Sequence, residues 1–300
     1  MTMKRTLSIV VGTVLLATGA LAQGDMLARV NQAYRAGDLK TARSLADEAA
    51  KDPALASTAE LWVLRGFIYK DLYKETAGEQ AATLRDEALA SLYTANQQDH
   101  ERQFAASSVP AYWFLAKTIY NDVARALGEL QPERAIGLYA KYGEAVRRMA
   151  PDTVLTAQDV EYWNALGTVY VKLFAEDRTQ FKWYDKAVAV YMHVLQLDSA
   201  NYGANYNLAT LFYNRGVYNI QRISADNDIP SLQQIQEASR EFFSQALPYM
   251  LKAHRMRPAR PETILGLEGI HYSLQDEEQS RHYRHLYEEL RHDELKGKDK

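Results

Sequence analysis

Apolar residues recur at steps of three and four along nearly the whole chain from Gly24 onward, and no alternation of period two persists over a strand's length. The stretch YWNALGTVY, residues 162–170, is typical: Trp163, Leu166, Gly167 and Tyr170 fall on one helical face. Twelve helices follow from this periodicity. They are predicted at 26–36 and 39–52, 57–75 and 80–98, 109–128 and 132–150, 156–176 and 181–197, 202–224 and 231–256, and 260–273 and 276–296. Short connections make each successive pair an antiparallel hairpin. Asp52-Pro53, Ala150-Pro151 and Arg257-Pro258 close the second helices, because proline cannot continue a helix and restrains the residue before it. Ser231 with Gln234, after Pro230, reads as a capping box that opens the longest second helix.

Gly167 poses a question, since glycine weakens a helix interior. The frame Trp163-x2-Leu166-Gly167-x2-Tyr170 makes sense of it: a partner helix crosses where a side chain would be in the way. The frame recurs. Trp62, Gly66 and Tyr69 precede Ala88 and Ala95; Trp113, Leu115 and Tyr120 precede Ala135 and Tyr139; Asn205, Leu208, Ala209 and Phe212 precede Ala246, Ala253 and Pro258. Tyr34, Gly37, Ala42, Ala49 and Pro53 carry the second half of the same frame. Together these residues resemble the tetratricopeptide repeat. The resemblance spans nearly all of residues 23–300 and implies an all-α, right-handed solenoid of six hairpins.

The chain departs from the 34-residue repeat in one direction. Tyr69 and Ala88 stand nineteen residues apart, Tyr170 and Ala187 seventeen, and Phe212 and Ala246 thirty-four, all wider than the repeat allows. The hairpin ends are therefore lengthened, most of all over residues 218–243, and project beyond one edge. With ALPYMLKAHRMRP at 246–258, this segment resembles exported tetratricopeptide proteins of Bacteroidota-type Gram-negative bacteria.

The resemblance also implies a concave groove, lined by the first helix of each hairpin. Its positions here are Val63, Phe67, Lys70 and Asp71; Phe114, Thr118, Asn121 and Asp122; Asn164, Thr168 and Lys172; and Tyr206, Thr210, Tyr213 and Asn214. Lys70, Asn121, Asn164, Lys172, Tyr206, Tyr213 and Asn214 are the expected ligand-binding residues, since amides pair with a peptide backbone and phenol rings stack on a ligand. The basic and amide set that clamps a C-terminal carboxylate in chaperone-binding members is not reproduced. A protein or peptide partner in the groove is the leading expectation, with the projecting edge as the other surface. A carbohydrate or small ligand held by groove Tyr and Trp is the alternative.

Composition narrows the function classes. A 300-residue chain that is 47 % hydrophobic and 24 % charged has the material for a substantial core. Its formal charge of −3, with no basic run flanked by aromatics, gives no nucleic-acid footprint. Lys4 and Arg5, the apolar run 7–18 and the small residues Ala20-Leu21-Ala22 read as an export signal cleaved after Ala22. That run is shorter than the ~20 residues a bilayer span needs, so no membrane anchor is expected. Loss of these two cations takes the formal charge from −3 to −5. The absence of cysteine excludes lipidation behind a signal, disulfides and thiolate metal sites. The mature protein is expected in the periplasm or outside the cell.

Candidate chemistry is sparse. Glu278, His282, His285, Glu289 and His292 share one helical stripe and contain metal-ligand types, but the apolar residues Tyr283, Leu286, Tyr287 and Leu290 take the other face. The stripe is expected to be the solvated side of a capping helix. Asp226, Asn227 and Asp228 lack the glycine and distal glutamate of a calcium loop and read as a turn. No nucleophile-elbow, HExxH or phosphate-loop pattern is present, so neither an enzyme nor a cofactor is expected.

Overall fold

The computed structural model describes residues 25–224 and 227–298, with side chains up to residue 292. All regular structure among them is helical. The helices are α1 (25–35), α2 (Leu39–Ala49), α3 (Pro53–Ala56), α4 (Ala59–Glu75), α5 (Glu79–Gln98), α6 (Ala105–Gly128), α7 (Pro132–Met149), α8 (Thr156–Glu176), α9 (Phe181–Leu197), α10 (Tyr202–Gln221), α11 (Ile229–Met256), α12 (Pro261–Ser273) and α13 (Glu277–Lys298). The proposed signal at 1–22 and Asp226 lie outside the described residues.

Three of the boundaries that differ from the periodicity have an aspartate cap behind them. The short α3 follows Asp52, whose carboxylate accepts from the Ala54 amide at 2.9 Å, while Pro53 sits at the first helical position. Proline there starts a turn as readily as it ends one. Helix α6 begins four residues early and carries Pro110 inside it. The preceding turn is held by Asp99, whose two oxygens accept from the Gln103 and Phe104 amides at 2.8 Å each. Helix α11 is capped by Asp228, which accepts from the Ser231 amide at 3.0 Å. Ser231 is thus a first-turn residue rather than the cap, because carboxylate caps well and proline at the first or second position costs no hydrogen bond.

The chain divides into two compact units. The N-terminal unit comprises the described residues up to Arg125 together with Glu133–Thr153. Its core runs from Val30, Ala42 and Ala46 against Ile68 to a larger cluster of Tyr69, Leu84, Ala88, Leu92, Tyr112, Leu115 and Ile119. Beside this core, Arg65 of α4 pairs with Asp47 of α2 at 2.9 Å and Glu87 of α5 at 2.8 Å, and donates to the Ser91 hydroxyl at 2.6 Å. One guanidinium thus fixes three helices. The buried Tyr112 hydroxyl donates to the Ala145 carbonyl at 2.7 Å, and burial pushes its pKa up to about 12.

The C-terminal unit comprises Ala126–Pro132 and the described residues from Val154 onward. It pairs α8 with α9, α10 with α11 and α12 with α13, and packs α9 on α10 and α11 on α12. A Cβ at Gly167 would stand 2.7 Å from the Tyr191 ring of α9, which is closer than packed atoms approach. Gly66 meets Leu92 of α5 in the same way in the N-terminal unit, at 2.6 Å. The expected crossings are therefore real, and the small residues of the repeat frame, Ala88, Ala95, Ala135, Ala187, Ala246 and Ala253, are all fully buried.

Candidate functional site

A recess of the N-terminal unit lies among α4, α5, α6 and α7. Its volume is about 960 Å³, at the upper end for small-ligand pockets. Its floor and walls come from Tyr73 and Lys74 of α4, Arg85 of α5, Phe114, Thr118, Asp122 and Arg125 of α6, and Arg134 and Leu138 of α7. The turn Thr76–Gly78 and Glu79 close one end. Gly78 has φ of +73°, a conformation that lets the chain reverse into α5 and that other residues adopt at a cost.

Arg85 sits in the register of the buried stripe Leu84, Ala88, Leu89 and Leu92, and only 1 % of it is exposed. Its Nη1 donates to Asp122 Oδ2 at 2.6 Å and lies 3.3 Å from the Thr118 hydroxyl. The guanidinium also lies over the Tyr73 ring, 5.6 Å from its centroid. Its Nε has no acceptor. Asp122 is shared: its other oxygen pairs with Arg125 at 3.4 Å, a residue whose side chain is 64 % exposed. Nearby, the Lys74 ammonium lies over the exposed face of Phe114 at 5.6 Å and reaches Asp71 at 3.2 Å. Cations outnumber acids in the lining, Lys74, Arg85, Arg125 and Arg134 against Glu79 and Asp122. Such a recess attracts anionic groups and offers them a ring to rest on.

Of the groove positions implied by the repeat resemblance, Phe114, Thr118 and Asp122 line this recess. The residues expected to bind ligand are distributed otherwise. In the N-terminal unit, Asn121 is exposed and Lys70 is mostly covered, held between Asp71 at 3.3 Å and the Phe67 ring at 4.6 Å. Asp71 also accepts from the Tyr34 hydroxyl at 2.6 Å. Burial would raise the Asp71 carboxyl, but the Tyr34 hydroxyl, Lys70 and Lys74 outweigh it and hold it below the usual carboxylate range.

In the C-terminal unit, Lys172 and Asn214 are exposed. Asn164 donates to the Val160 carbonyl at 3.0 Å and to Asn201 Oδ1 at 3.2 Å, the same oxygen that caps α10 through the Ala204 amide. It braces a helix start. Tyr206 stacks on Tyr202, 6.1 Å between centroids with planes 4° apart, and Arg257 covers Tyr202 at 4.3 Å. Tyr213 packs on Phe243 at 5.6 Å, and its hydroxyl fills the space where Gly269 of α12 has no side chain. Tyr213 is thus part of the packing of α10 against α11 and α12. The stripe of Glu278, His282, His285, Glu289 and His292 is exposed throughout, whereas Tyr283 is buried. Among the described residues no three His, Asp or Glu side chains converge as metal ligands.

Arg85 was absent from the expected site. It lies on a second helix, outside the groove positions that the resemblance supplies. Its signal in the sequence is a cation in an apolar helical register, which requires a buried partner.

No family model matches the chain, and no curated protein matches it. Among solved structures, it is similar to a monomeric mutant of IFIT1 with Gppp-AAAA, at 12 % identity and a TM-score of 0.35, covering 86 % of this chain and 58 % of that one.

Proposed function

We propose that the chain is a non-catalytic scaffold, exported to the envelope of a Gram-negative cell, that holds a protein or peptide partner. The observation that carries this reading is the recess of the N-terminal unit, where guanidinium, hydroxyl and ring groups from four helices face one space of about 960 Å³. Those groups bind and orient; a peptide laid across them gains hydrogen bonds to its backbone and a ring contact for one side chain. The helical hairpins, their lengthened helices and the N-terminal signal pattern support the resemblance to exported tetratricopeptide proteins, which is the ground for the location.

Co-purification from the native envelope tests the reading, with Phe114→Ala as the paired bait. Phe114 is 45 % exposed, so the variant keeps its fold. A partner held by the wild type and at least about tenfold weaker on the variant is expected. A partner indifferent to Phe114→Ala but lost on deletion of residues 220–236 would place the site on the projecting edge instead. Intact mass of the exported protein checks the location: the chain should begin near Gln23, and retention of residues 1–22 would refute it.

A further inference from the structure

We propose that the recess of the N-terminal unit recognises an internal acidic residue that neighbours an aromatic residue in the bound peptide. This rests on the reading of the chain as a peptide scaffold and adds the side-chain chemistry that the site selects.

Three observations converge on that pair. The first is charge left over. Arg85 and Arg125 share the single carboxylate of Asp122, at 2.6 Å and 3.4 Å, so one negative charge faces two guanidinium groups. Arg125, mostly exposed and on the longer contact, has donors to spare for a second carboxylate. The second is an unused donor: Arg85 is almost wholly buried, yet its Nε has no acceptor. That Nε has no accessible surface, so it is not itself a ligand contact; it marks a buried guanidinium that Asp122 only partly satisfies. The third is Phe114, a large ring left 45 % exposed beside the recess with the Lys74 ammonium over it. A ligand ring laid against Phe114 gains apolar contact, and the adjacent carboxylate reaches the exposed Arg125 guanidinium.

The order of the groups on α6 suits adjacent ligand residues. Phe114, Thr118 and Asp122 recur every four residues on one face, and Arg125 follows one turn later, so ring and cation contacts succeed each other along a single helix. Asp122 supplies selectivity as well as structure. Its charge repels a doubly anionic group such as a phosphate more than a single carboxylate.

The test uses full-length mature protein and short fluorescent peptides that differ in one position: Phe-Asp at the centre, Phe-Asn as the uncharged isostere, and Ala-Asp as the ringless form. Fluorescence anisotropy should show Phe-Asp binding at least about tenfold tighter than either, with an advantage over Phe-Asn that shrinks as salt rises. Arg125→Gln, a change at an exposed residue, should erase most of the preference for Phe-Asp over Phe-Asn. Equal binding of Phe-Asp and Phe-Asn would overturn this inference and leave the scaffold reading standing. Binding of none of the three would overturn the inference and count against the recess as a peptide site. A fourth arm uses 3-phenylpropionate alone. If that small carboxylate binds as tightly as Phe-Asp, the occupant is a free aromatic acid and the peptide assignment falls.

Discussion

Each unit sets a guanidinium among its helices, wholly buried for Arg85 and half-buried for Arg215, and the two are held in opposite ways. In the N-terminal unit, Arg85 is neutralised by Asp122 and lies over one ring, Tyr73. In the C-terminal unit, Arg215 is surrounded by rings: its guanidinium carbon lies 4.1 Å from the Phe181 centroid, 5.7 Å from Tyr218, 5.9 Å from Phe242 and 6.0 Å from Tyr184. Its Nη1 has no hydrogen-bond acceptor, and neither does the buried Tyr184 hydroxyl. Burial raises the Tyr184 pKa, while the charge of Arg215 opposes that rise. The difference shows what each solution leaves behind. A carboxylate neutralises the cation but is itself polar, so it stands at the edge of a recess and can exchange partners. A ring cage fills space and holds the cation by contact and by the electrostatic pull of the ring faces. Arg85 and Asp122 both line the recess, whereas the groups around Arg215 are packed rings.

The strongest way to break the comparison is to remove the carboxylate. Asp122→Ala strands the charge of Arg85 in a site that is 1 % exposed, and the N-terminal unit should lose about 3 kcal/mol in urea unfolding. Hydrogen exchange of α5 and α6 peptides should accelerate while those of α10 and α11 do not. A loss under about 1 kcal/mol would mean that Tyr73 and Thr118 hold Arg85 as rings hold Arg215.

The helix crossings contrast the units more gently. At Gly66 an added methyl meets the flexible Leu92 side chain, whereas at Gly167 it meets the rigid ring of Tyr191, whose hydroxyl lies 3.3 Å from that of Thr168. Gly167→Ala should cost about 2 kcal/mol and Gly66→Ala about 1 kcal/mol by the same assay. Equal costs would show that Tyr191 yields as easily as leucine.

Arg215→Met addresses the cage directly. Methionine leaves no partner unpaired and keeps contact with the rings, so the loss should be near 1 kcal/mol, well below that of Asp122→Ala. A larger loss would show that the cage depends on the charge itself.

Acid should act on the N-terminal unit through Asp71. Its folded pKa is depressed, so its contribution is fully present above the ordinary carboxylate pKa of about 4 and is lost as pH falls through the lower folded value. Asp71→Asn should flatten that limb of a stability-against-pH curve, and an unchanged limb would assign it to other carboxylates. The smallest effect belongs to the histidines of α13. Replacing His282, His285 and His292 by Gln together should leave stability within about 1 kcal/mol, and zinc should not raise the melting temperature.

The order of the twelve long helices, and the pairing of α4 with α5, α8 with α9, α10 with α11 and α12 with α13, were legible because each helix carries its own apolar period, and the glycines and alanines at the crossings are visible as small residues in a large-residue frame. What was missed shares one cause. The α3 turn and the earlier start of α6 at Ala105 depend on Asp52 and Asp99 reaching nearby amides, and either aspartate reads equally well as a loop residue. The site was legible in part. Phe114, Thr118 and Asp122 occupy groove positions of the repeat frame, whereas Tyr213 looked like an anchor and is committed to Phe243 and Gly269.

The sequence by itself determined that the chain is helical, that its helices pair, and where close crossings fall, because helical period and side-chain size are local properties. Only the tertiary structure decided which polar side chains remain available to a ligand. Availability depends on whether a partner from another helix has already taken the group. Asn164 is used by Asn201 thirty-seven residues away, and Arg85 is met by Asp122 at the same separation, yet the first closes a helix cap and the second lines an open recess. Sequence separation does not distinguish the two pairs; the space left around each does.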